Sequence, residues 1–456
     1  MTASPGLLLA FYGDDFTGST DSMEALARSG LRTVLFFELP SPELLETRFP
    51  DLRCLGVAGT SRAMAPAEMD AELAPVLRAL WETKAPILHY KVCSTFDSAP
   101  EVGSIGHVVD MARAMLTGET ISVLAGAPPL RRYTVFGNHF AAAGDRIYRL
   151  DRHPTMSCHP VTPMAEADLR VHLAHQTGAR IALMDLNDLD GAPAQVGARH
   201  AERLRDRPDL LLYDVLDDAR LRTAGRLIWE QAAGGRHFVV GSSGVGYALT
   251  AHWRDAGIIG DEMAVPGRIE PVRQILVVSG SASPITAGQI EWAAQNGFDC
   301  LRAPTEDLVQ PETVDAARER IKEQALRSLA AGNSVVVYSA SGSDDPRIRA
   351  TRERLAAISG TNAGNTARVL GRQLGRLARE LLAASGLRRA VIAGGDTSSY
   401  ATQELGLYGL EMCAELTPGA PLCRGHAEDP RIDGLEIALK GGQMGGPDYF
   451  GRARGG

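Results

Sequence analysis

Short apolar runs alternate with longer segments of helical periodicity along the chain. In the first half, the apolar runs 7–12, 54–58 and 87–93 contain few polar positions, which is typical of strands buried on both faces of a parallel sheet. The other strands predicted in this half are 33–37, 122–125, 181–184, 211–214 and 238–241. Residues 13–19 are predicted as a tight loop and residues 20–29 as a helix that stops at Gly30.

The second half repeats this alternation. Strands are predicted at 275–278, 334–338, 390–393 and 435–439, and a long helix between 366 and 384. Between the halves, about residues 255–270 mix glycine, proline and charge without a clear period. The sequence therefore predicts an α/β fold of two α/β domains with mostly parallel sheets, at 1–254 and 271–456.

Composition narrows the class of protein. The chain has 456 residues, 45% of them apolar and 22% charged, which is ordinary for a globular protein. A formal net charge of −8 without a Lys/Arg block argues against a nucleic-acid partner, and no apolar stretch approaches the length of a membrane span. The six cysteines contain no CxxC pair, and the first residues do not resemble a signal peptide. We expect a cytoplasmic protein with a small-molecule substrate.

The loop GDDFTGSTD carries two adjacent carboxylates between a strand and a helix. Ligand crevices of parallel sheets form at such positions, so Asp14 or Asp15 could accept the proton of a substrate hydroxyl. The alternative is structural, because Asp also caps helices and turns. The spacing alone leaves both interpretations open.

A second polar cluster follows the strand 87–93. This strand contains Lys91 and leads into Ser94, Thr95 and Asp97. A lysine within an apolar strand requires a partner, which an anionic substrate or Asp97 could supply, unless the side chain extends to solvent at a strand edge. Arg62 could bind a carboxylate through two parallel hydrogen bonds, although a lone surface arginine is more common.

The segment DRHPTMSCHPVTPM contains His153, Cys158 and His159. These residue types suggest metal ligands, but three prolines favour an extended loop and no further ligand is evident. We predict no metal site here, and expect a loop that contacts substrate or forms an interdomain lid.

Glycine- and serine-rich turns follow strands at three places in the second half, in SGSASPITAGQ, AGGDTSSYA and ALKGGQMGG. Turns of this kind leave backbone N–H groups for phosphate, so the three together indicate a polyphosphate ligand, although each alone also fits an ordinary capped turn. No GxxxxGK[ST] motif is present, which excludes a Walker-type loop. The residues predicted to bind the phosphates are Ser281, Ser283, Gly394, Gly395, Asp396, Thr397, Gly441 and Gly442.

Taken in order, seven motifs resemble the four-carbon acid-sugar kinase family. They are GDDFTGSTD, YKVCSTFDS, HPVTPM, VVGSSG, VSGSASPITAGQI, AGGDTSSYA and ALKGGQMGG, and the resemblance runs from about residue 7 to 450. It implies an N-terminal sugar-acid domain, a C-terminal ATP domain and phosphoryl transfer in a cleft between them. The substrate types that it implies are 3-oxo-tetronate, threonate, erythronate or a branched relative such as 3-oxo-isoapionate.

The resemblance also assigns residues. Asp14 and Asp15 match the acidic pair of the family, and the two glycine-rich turns and the serine turn match its nucleotide loops. Its acid-sugar side corresponds to Arg62, Lys91, Ser94, Thr95 and Asp97. Mg²⁺ is then expected to bridge the ATP phosphates, Arg62 or Lys91 to hold the substrate carboxylate, and one Asp to act as base. Many relatives have Glu where this chain has Asp396. The sequence does not decide whether the protein forms a homo-oligomer.

Two other functions are compatible with parts of the sequence. A two-domain sugar-acid sensor without catalysis would need the same binding loops, but not the acidic pair. An NAD-dependent dehydrogenase would explain glycine-rich turns, although none reads GxGxxG with an acidic residue about 20 positions later.

Overall fold

The computed structural model describes residues 6–115, 119–260, 267–359 and 364–455, without the side chains of 17, 359, 364, 365 and 396–399. The chain divides into two compact units, Met1–Val265 and Pro266–Gly456. The predicted linker at 255–270 lies partly outside the described residues, and the domain bounds stay a prediction.

The first unit is built on a parallel sheet whose strands are covered by helices. Its strands are β1 Leu9–Gly13, β2 Thr33–Phe36, β3 Cys54–Ala58, β4 Ile87–Lys91, β5 Ile121–Leu124, β9 Ile181–Met184, β10 Leu210–Tyr213 and β11 His237–Gly241. They run in the order β2-β3-β1-β4-β11-β5-β10-β9, and every pairing in this series is parallel. Most are fully buried, as expected for strands with helices on both faces.

The helices of this unit follow the strands in alternation. They are α1 Phe16–Ala27, α2 Pro42–Arg48, α3 Pro66–Glu82, α4 Ile105–Met115, α5 Leu169–Ala174, α6 Pro193–Arg205, α7 Asp218–Gln231 and α8 Gly244–Asp255. Several of the longer helices bury an apolar stripe at helical spacing, such as Met69, Leu73, Leu77 and Leu80 of α3.

A small antiparallel sheet lies between β5 and α5 in the sequence. Its strands, paired in sequence order, are β6 Arg132–Val135, β7 Asn138–Ala143 and β8 Arg146–Arg149. Thr134 exchanges two backbone hydrogen bonds with Val215 (both 2.9 Å), and the carboxylate of Asp214 accepts from the N–H groups of Phe136 and Gly137 at 2.5 and 2.9 Å. The small sheet is thus fixed to the carboxyl end of β10.

The second unit contains the strands β12 Leu276–Ser279, β13 Phe298–Arg302, β14 Ser334–Tyr338, β15 Arg389–Ala393, β16 Leu407–Ala414, β17 Leu422–Ala427 and β18 Glu436–Lys440. They pair in the order β13-β14-β12-β15-β18-β17-β16. The pairings are parallel from β13 to β18, and antiparallel for β17 with both of its neighbours. Its helices are α9 Pro284–Gln295, α10 Thr305–Leu308, α11 Val314–Ala330, α12 Pro346–Ser359, α13 Gly364–Ser385, α14 Gly395–Glu404 and α15 Tyr449–Arg454.

In each unit the chain first adds strands on one side of the unit's first strand and then crosses to the other side. After β1 the chain builds β2 and β3 on one side and then crosses to β4, and after β12 it builds β13 and β14 and then crosses to β15. Crevices that bind ligands form at the carboxyl ends of strands at such points. The predicted acidic pair follows β1, and the predicted serine turn follows β12.

The α/β class and the mostly parallel sheets are confirmed, and several local predictions are corrected. The predicted loop 13–19 is wrong in its second half because α1 begins at Phe16. Apart from Phe16, the first turn of α1 holds only glycine and polar residues, so hydrophobic periodicity appears only later. The expected extended loop at 151–164 contains short 3-10 turns, Leu150–Arg152 and Met156–Cys158. β6 to β8, β13, β16 and β17 were not predicted.

Within the described residues, no helix is long and apolar enough to cross a membrane.

Candidate active site

An arginine and two carboxylates form a compact ionic cluster at the carboxyl ends of β1 and β3. Arg62 donates through Nε and Nη2 to the carboxylate of Asp14 (3.0 and 2.8 Å), and through Nη1 and Nη2 to that of Asp15 (both 3.0 Å). Backbone contacts hold the two loops together, because the N–H of Arg62 donates to the carbonyl of Asp14 at 3.0 Å. Four of the roughly five N–H donors that an arginine carries are therefore used inside the protein.

Burial dominates the protonation of this cluster. It raises the pKa of Asp14; the Arg62 charge opposes that rise, and neighbouring Asp15 adds to it. Burial alone would lower the pKa of Arg62, but the two carboxylates raise it well above its ordinary value. Arg62 is therefore a fixed cation that holds two carboxylates in one place.

The two carboxylates differ in access. The side chain of Asp14 is 5% exposed and that of Asp15 is 29% exposed. Asp15 is also the N-cap of α1, because its Oδ1 accepts from the N–H of Gly18 at 2.9 Å. The capping interpretation of the sequence thus holds for Asp15, whose side chain is also more exposed to solvent than that of Asp14.

Lys91, the last residue of β4, lies beside this cluster. Parallel pairing places it opposite Gly13, one residue before Asp14. Its side chain is buried, with 2% of the residue exposed, and it makes no hydrogen bond or ion pair with any residue that the structure describes. A Cβ at Gly18 would collide with both Lys91 Nζ and Asp15 Oδ1, so the glycine allows these two groups to come close. An unpaired buried ammonium is costly unless an anion joins it.

The turn after β4 is held by its own side chains. Thr95 Oγ1 donates to Asp97 Oδ1 at 2.5 Å, and Thr162 Oγ1 donates to Asp97 Oδ2 at 3.0 Å. Phe96 is buried with φ of +57°, a left-handed conformation that is uncommon for a bulky residue. Asp97 and Thr95 therefore shape this turn, and of the predicted acid-sugar residues Arg62 and Lys91 lie at the acidic pair.

Cys93 is affected by the charges of both the ionic cluster and the turn after β4. Burial raises the pKa of its thiol, while Arg62 and Lys91 lower it and Asp97 raises it further. The thiol therefore lies within the fields of both the ionic cluster and the turn at 94–97. The sequence does not identify this residue, because a single half-buried cysteine forms no motif.

His153 and His159, considered above as metal ligands, have local partners. His153 Nδ1 accepts from the N–H of Thr155 and Met156 (both 3.2 Å), and His159 Nδ1 accepts from the N–H of Thr162 at 3.0 Å. In the described ranges of the chain, no three His, Cys, Asp or Glu side chains form a group that could hold a metal ion.

In the second unit, the predicted serine turn begins α9. Ser283 is the N-cap, and its Oγ accepts from the N–H of Ile285 at 3.2 Å; Ser281 Oγ in turn accepts from the N–H of Ser283 at 3.2 Å. A helix N-terminus with polar side chains attracts anions. Ser279, Ala393 and Lys440 are aligned in the sheet, so the turns after β12, β15 and β18 lie side by side.

The turn at 441–446 packs directly on the serine turn. A Cβ at Gly442 would lie 2.8 Å from Ser281 Oγ and 3.1 Å from Ser283 Cβ. Thr286 Oγ1 donates to the carbonyl of Gly442 at 2.9 Å, and Gln289 Nε2 donates to the carbonyls of residues 444–446 at 2.9–3.2 Å. A side chain at 442 would therefore crowd Ser281 and Ser283 at this separation of the two turns.

Lys440 is a buried cation that sequence analysis missed. It is 1% exposed, donates to Thr286 Oγ1 at 3.0 Å, and burial lowers its pKa to about 8. Its position next to the first turn of α9 places a positive charge where a helix dipole is also positive. The signal that could have found it is a lysine at the end of an otherwise apolar run, as in β4.

The predicted nucleotide turn that contains Gly394 to Thr397 begins α14. Gly394 has φ of +133°, a conformation that favours glycine, and its N–H donates to the carbonyl of Lys440 at 2.9 Å. The side chains of Asp396 and Thr397 lie outside the described part of the structure. Their predicted roles stay predictions.

A cavity of about 160 Å³ lies beside the serine turn within the second unit. It contains both polar and apolar groups, including two arginines. Its lining residues are Gly280, Ala282, Thr305, Ser339, Ala340, Arg347, Ile348, Thr351, Arg352, Thr366, Ala367 and Leu370.

Two family models match the chain. Residues 9–249 match a sugar-binding N-terminal domain, and residues 276–450 match a nucleotide-binding C-terminal domain. Together they cover the parts of both units that contain the clusters described above.

Characterised relatives match over nearly the full chain. A 3-oxo-isoapionate kinase of Paraburkholderia graminis is 50% identical, over 99% of this chain and 95% of the relative. The 3-oxo-tetronate kinases of Pseudomonas savastanoi pv. phaseolicola and Cupriavidus necator are each 31% identical, over 98% of this chain and 96% of the relative.

Solved structures agree on the fold. A Salmonella typhimurium LT2 protein described as a tRNA synthase is 24% identical with a TM-score of 0.79, over 98% of both chains. A Haemophilus influenzae protein is 24% identical with a TM-score of 0.72, over 98% of this chain and 99% of the other.

Proposed function

Because the chain belongs to the four-carbon acid-sugar kinase family and is a sugar-acid kinase, we propose that it phosphorylates a hydroxyl group of a branched 3-oxo sugar acid. Kinase relatives also imply the use of ATP, which we propose is bound as its Mg²⁺ complex. 3-Oxo-isoapionate is the first substrate to test because the relative with 50% identity is named for it. The observation that carries the proposal is the accessible Asp15, fixed by Arg62 beside the unpaired Lys91.

We assign the acid-sugar side of the reaction to the first unit, with a domain at about 1–254. Lys91 attracts the anionic substrate, because its buried ammonium has no partner among the described residues. Ser94 supplies a hydroxyl at the start of the next turn, and Thr95 with Asp97 maintains the shape of that turn. Arg62, which the sequence suggested as a carboxylate anchor, is instead assigned to positioning because both of its donor edges already bind Asp14 and Asp15.

Asp15 is the proposed general base. Its side chain is more exposed than that of Asp14, and its Oδ2 accepts one hydrogen bond, from Arg62 Nη1 at 3.0 Å. An oxygen of this kind can also accept the proton of a substrate hydroxyl. Asp14, buried and bound through both oxygens, is assigned to holding Arg62.

We assign the nucleotide to the second unit, with a domain at about 271–456. The turns that contain Ser281, Ser283, Gly394, Gly395, Asp396, Thr397, Gly441 and Gly442 are proposed to bind the phosphates. The α9 N-terminus and Lys440 supply positive charge for them. The adjacent cavity of about 160 Å³ is below the usual volume of a site for a whole drug-sized ligand, roughly 300–1,000 Å³, so it suits one part of the nucleotide.

The reaction requires positioning and charge neutralisation more than covalent chemistry by the protein. The substrate hydroxyl oxygen forms a bond to the γ-phosphorus of ATP while the bond to the β–γ bridging oxygen breaks. ADP leaves with that oxygen, and the hydroxyl proton passes to Asp15. Mg²⁺ offsets phosphate charge when MgATP is bound.

The test is an assay of the purified protein with MgATP and a panel of sugar acids. We expect ADP release with 3-oxo-isoapionate, accompanied by one equivalent of a phosphate monoester in the ³¹P NMR spectrum, and slower release with 3-oxo-tetronate, threonate and erythronate. Calorimetric binding of both ligands without ADP release would contradict the proposal and indicate a sensor.

A further inference from the structure

The geometry points to Arg132 as a binding residue for the carboxylate group of the sugar acid, with the Nε and Nη2 edge of its guanidinium as the contact. This inference rests on the proposed function, since it names a residue of the same acid-sugar site. Arg132 is the first residue of β6, in the small antiparallel sheet.

One face of the small sheet contacts the turn after β4. Thr134 and His139 are paired across β6 and β7, and their side chains are joined by a hydrogen bond of 3.0 Å between Oγ1 and Nδ1. His139 Nε2 donates to the carbonyl of Ser94 at 2.8 Å. Side chains two residues apart on a strand share a face, so Arg132 lies on the same face as Thr134. The turn after β4 and Arg132 therefore lie next to each other.

Arg132 and the ionic cluster both interact electrostatically with the thiol of Cys93. Burial lowers the pKa of the Arg132 guanidinium, and Cys93 opposes that shift. The pKa of Cys93 is in turn lowered by Arg62 and Lys91 against the effect of burial. Arg132 therefore belongs electrostatically to the site that contains Lys91.

The guanidinium is oriented by the protein but only partly bound. Its Nη1 donates to the carbonyls of Leu130 and Arg131 at 3.0 and 3.3 Å, which fixes the plane of the group. Nε is buried without a partner, and Nη2 makes no hydrogen bond within the described ranges. Nε and Nη2 are parallel donors that match the two oxygens of a carboxylate.

The charges of the site favour a further cation. Asp14, Asp15 and Arg62 together carry one net negative charge when both acids are ionised, and Lys91 cancels it. A substrate carboxylate bound beside Lys91 would give the site a net negative charge again. Arg132 supplies a positive charge with two parallel donors, which Arg62 cannot offer because both of its donor edges already bind Asp14 and Asp15.

The experiment measures binding of 3-oxo-isoapionate and of its neutral primary amide to the full-length protein by calorimetry without ATP, and then turnover with MgATP. We expect Arg132→Met to weaken binding of the acid roughly 10- to 100-fold, the range expected for a lost charge-assisted hydrogen-bond pair. The amide should change less than about twofold. Arg146→Met is the matched control, because Arg146 is exposed on β8 of the same sheet and should leave both affinities unchanged.

Arg132→Lys keeps the charge without the parallel donors and should weaken the acid about tenfold, which provides a second variant if Arg132→Met does not fold. Unchanged affinity for the acid in a folded Arg132 variant would overturn the inference. Equal losses for acid and amide would also overturn it, because they indicate a structural role. A wild-type protein that binds the acid but releases no ADP would refute the proposed function, while the binding comparison would still decide the role of Arg132.

Discussion

Arg62 donates hydrogen bonds to both carboxylate oxygens of Asp14, through Nε at 3.0 Å and Nη2 at 2.8 Å. The same guanidinium binds Asp15, so the orientation of the accessible carboxylate depends on the buried one. The two adjacent carboxylates therefore have different proposed roles: Asp14 holds Arg62, and Asp15 accepts the proton. Their sequence positions alone do not distinguish these roles.

Asp15→Asn should lower kcat by about 10²- to 10⁴-fold, the usual contribution of general-base catalysis. The protein should stay folded, because Asn also caps helices and can accept the hydrogen bond from Gly18. Steady-state kinetics and thermal unfolding measure the two effects. Asp21→Asn, a carboxylate on the same helix outside the cluster, is the control. Turnover of folded Asp15→Asn within a few-fold of wild type would show that the base lies elsewhere.

Asp14→Asn should act mainly on stability. Removing one partner of a buried ion pair leaves the other charge uncompensated, which typically costs about 3–5 kcal/mol; the remaining contact between Arg62 and Asp15 should place this variant at or below the lower end. Chemical denaturation compared with Asp15→Asn measures the difference. An Asp14→Asn variant as stable as wild type but without turnover would instead identify Asp14 as the base.

Arg62→Lys and Lys91→Met should affect different kinetic constants. Arg62→Lys loses the parallel donors that orient Asp15, so we expect kcat to fall more than the KM for the sugar acid rises. Lys91→Met removes an unpaired cation, so we expect that KM to rise at least tenfold while the KM for ATP changes little. Equal effects of both substitutions on both KM values would contradict this division.

Gly442→Ala should raise the KM for ATP, because its Cβ would lie 2.8 Å from Ser281 Oγ and 3.1 Å from Ser283 Cβ, which displaces the Ser281 hydroxyl and presses on Ser283. The KM for the sugar acid should change little. Gly288→Ala is the matched control: it lies within α9 with open space around its Cβ position, and should leave both constants unchanged and stabilise the helix by about 0.5–1 kcal/mol. An unaltered ATP constant in Gly442→Ala would mean that this contact does not shape the nucleotide site.

ATP binding at pH 8 should be coupled to proton uptake. Burial lowers the pKa of Lys440 to about 8, so about half of the protein is unprotonated there, and added phosphate charge favours the ammonium form. Calorimetry in buffers of different ionisation enthalpy measures the uptake, and Lys440→Met should abolish it. Equal proton uptake by wild type and Lys440→Met would show that Lys440 does not interact with the bound phosphates.

The strand pattern allowed much of the fold to be predicted, because strands buried on both faces, such as 54–58 and 334–338, are apolar almost throughout. The small sheet escaped prediction because its strands are polar and only partly buried, as in Arg132–Val135. β16 and β17 are antiparallel strands with mixed burial and gave no apolar run. Their pairing depends on tertiary contacts that local periodicity does not encode.

The candidate site could be located from sequence but not divided into roles. Polar residues directly after apolar strands identified the acidic pair and Lys91, because parallel strands bring their carboxyl ends together. The sequence could not show that Arg62 is already occupied by Asp14, since the two residues are 48 positions apart. Arg132 was missed because its significance depends on a buried Nε without a partner, which is a property of packing alone.

The small sheet of β6, β7 and β8 enters the chain as one continuous segment, residues 132–149, whereas the acidic pair, Arg62 and Lys91 come from β1, β3 and β4. The proposed carboxylate contact and the proposed base therefore lie on separate segments of the chain. Substitutions within 132–149 can alter affinity for the acid while β1, β3 and β4 keep the arrangement of the ionic cluster and Lys91.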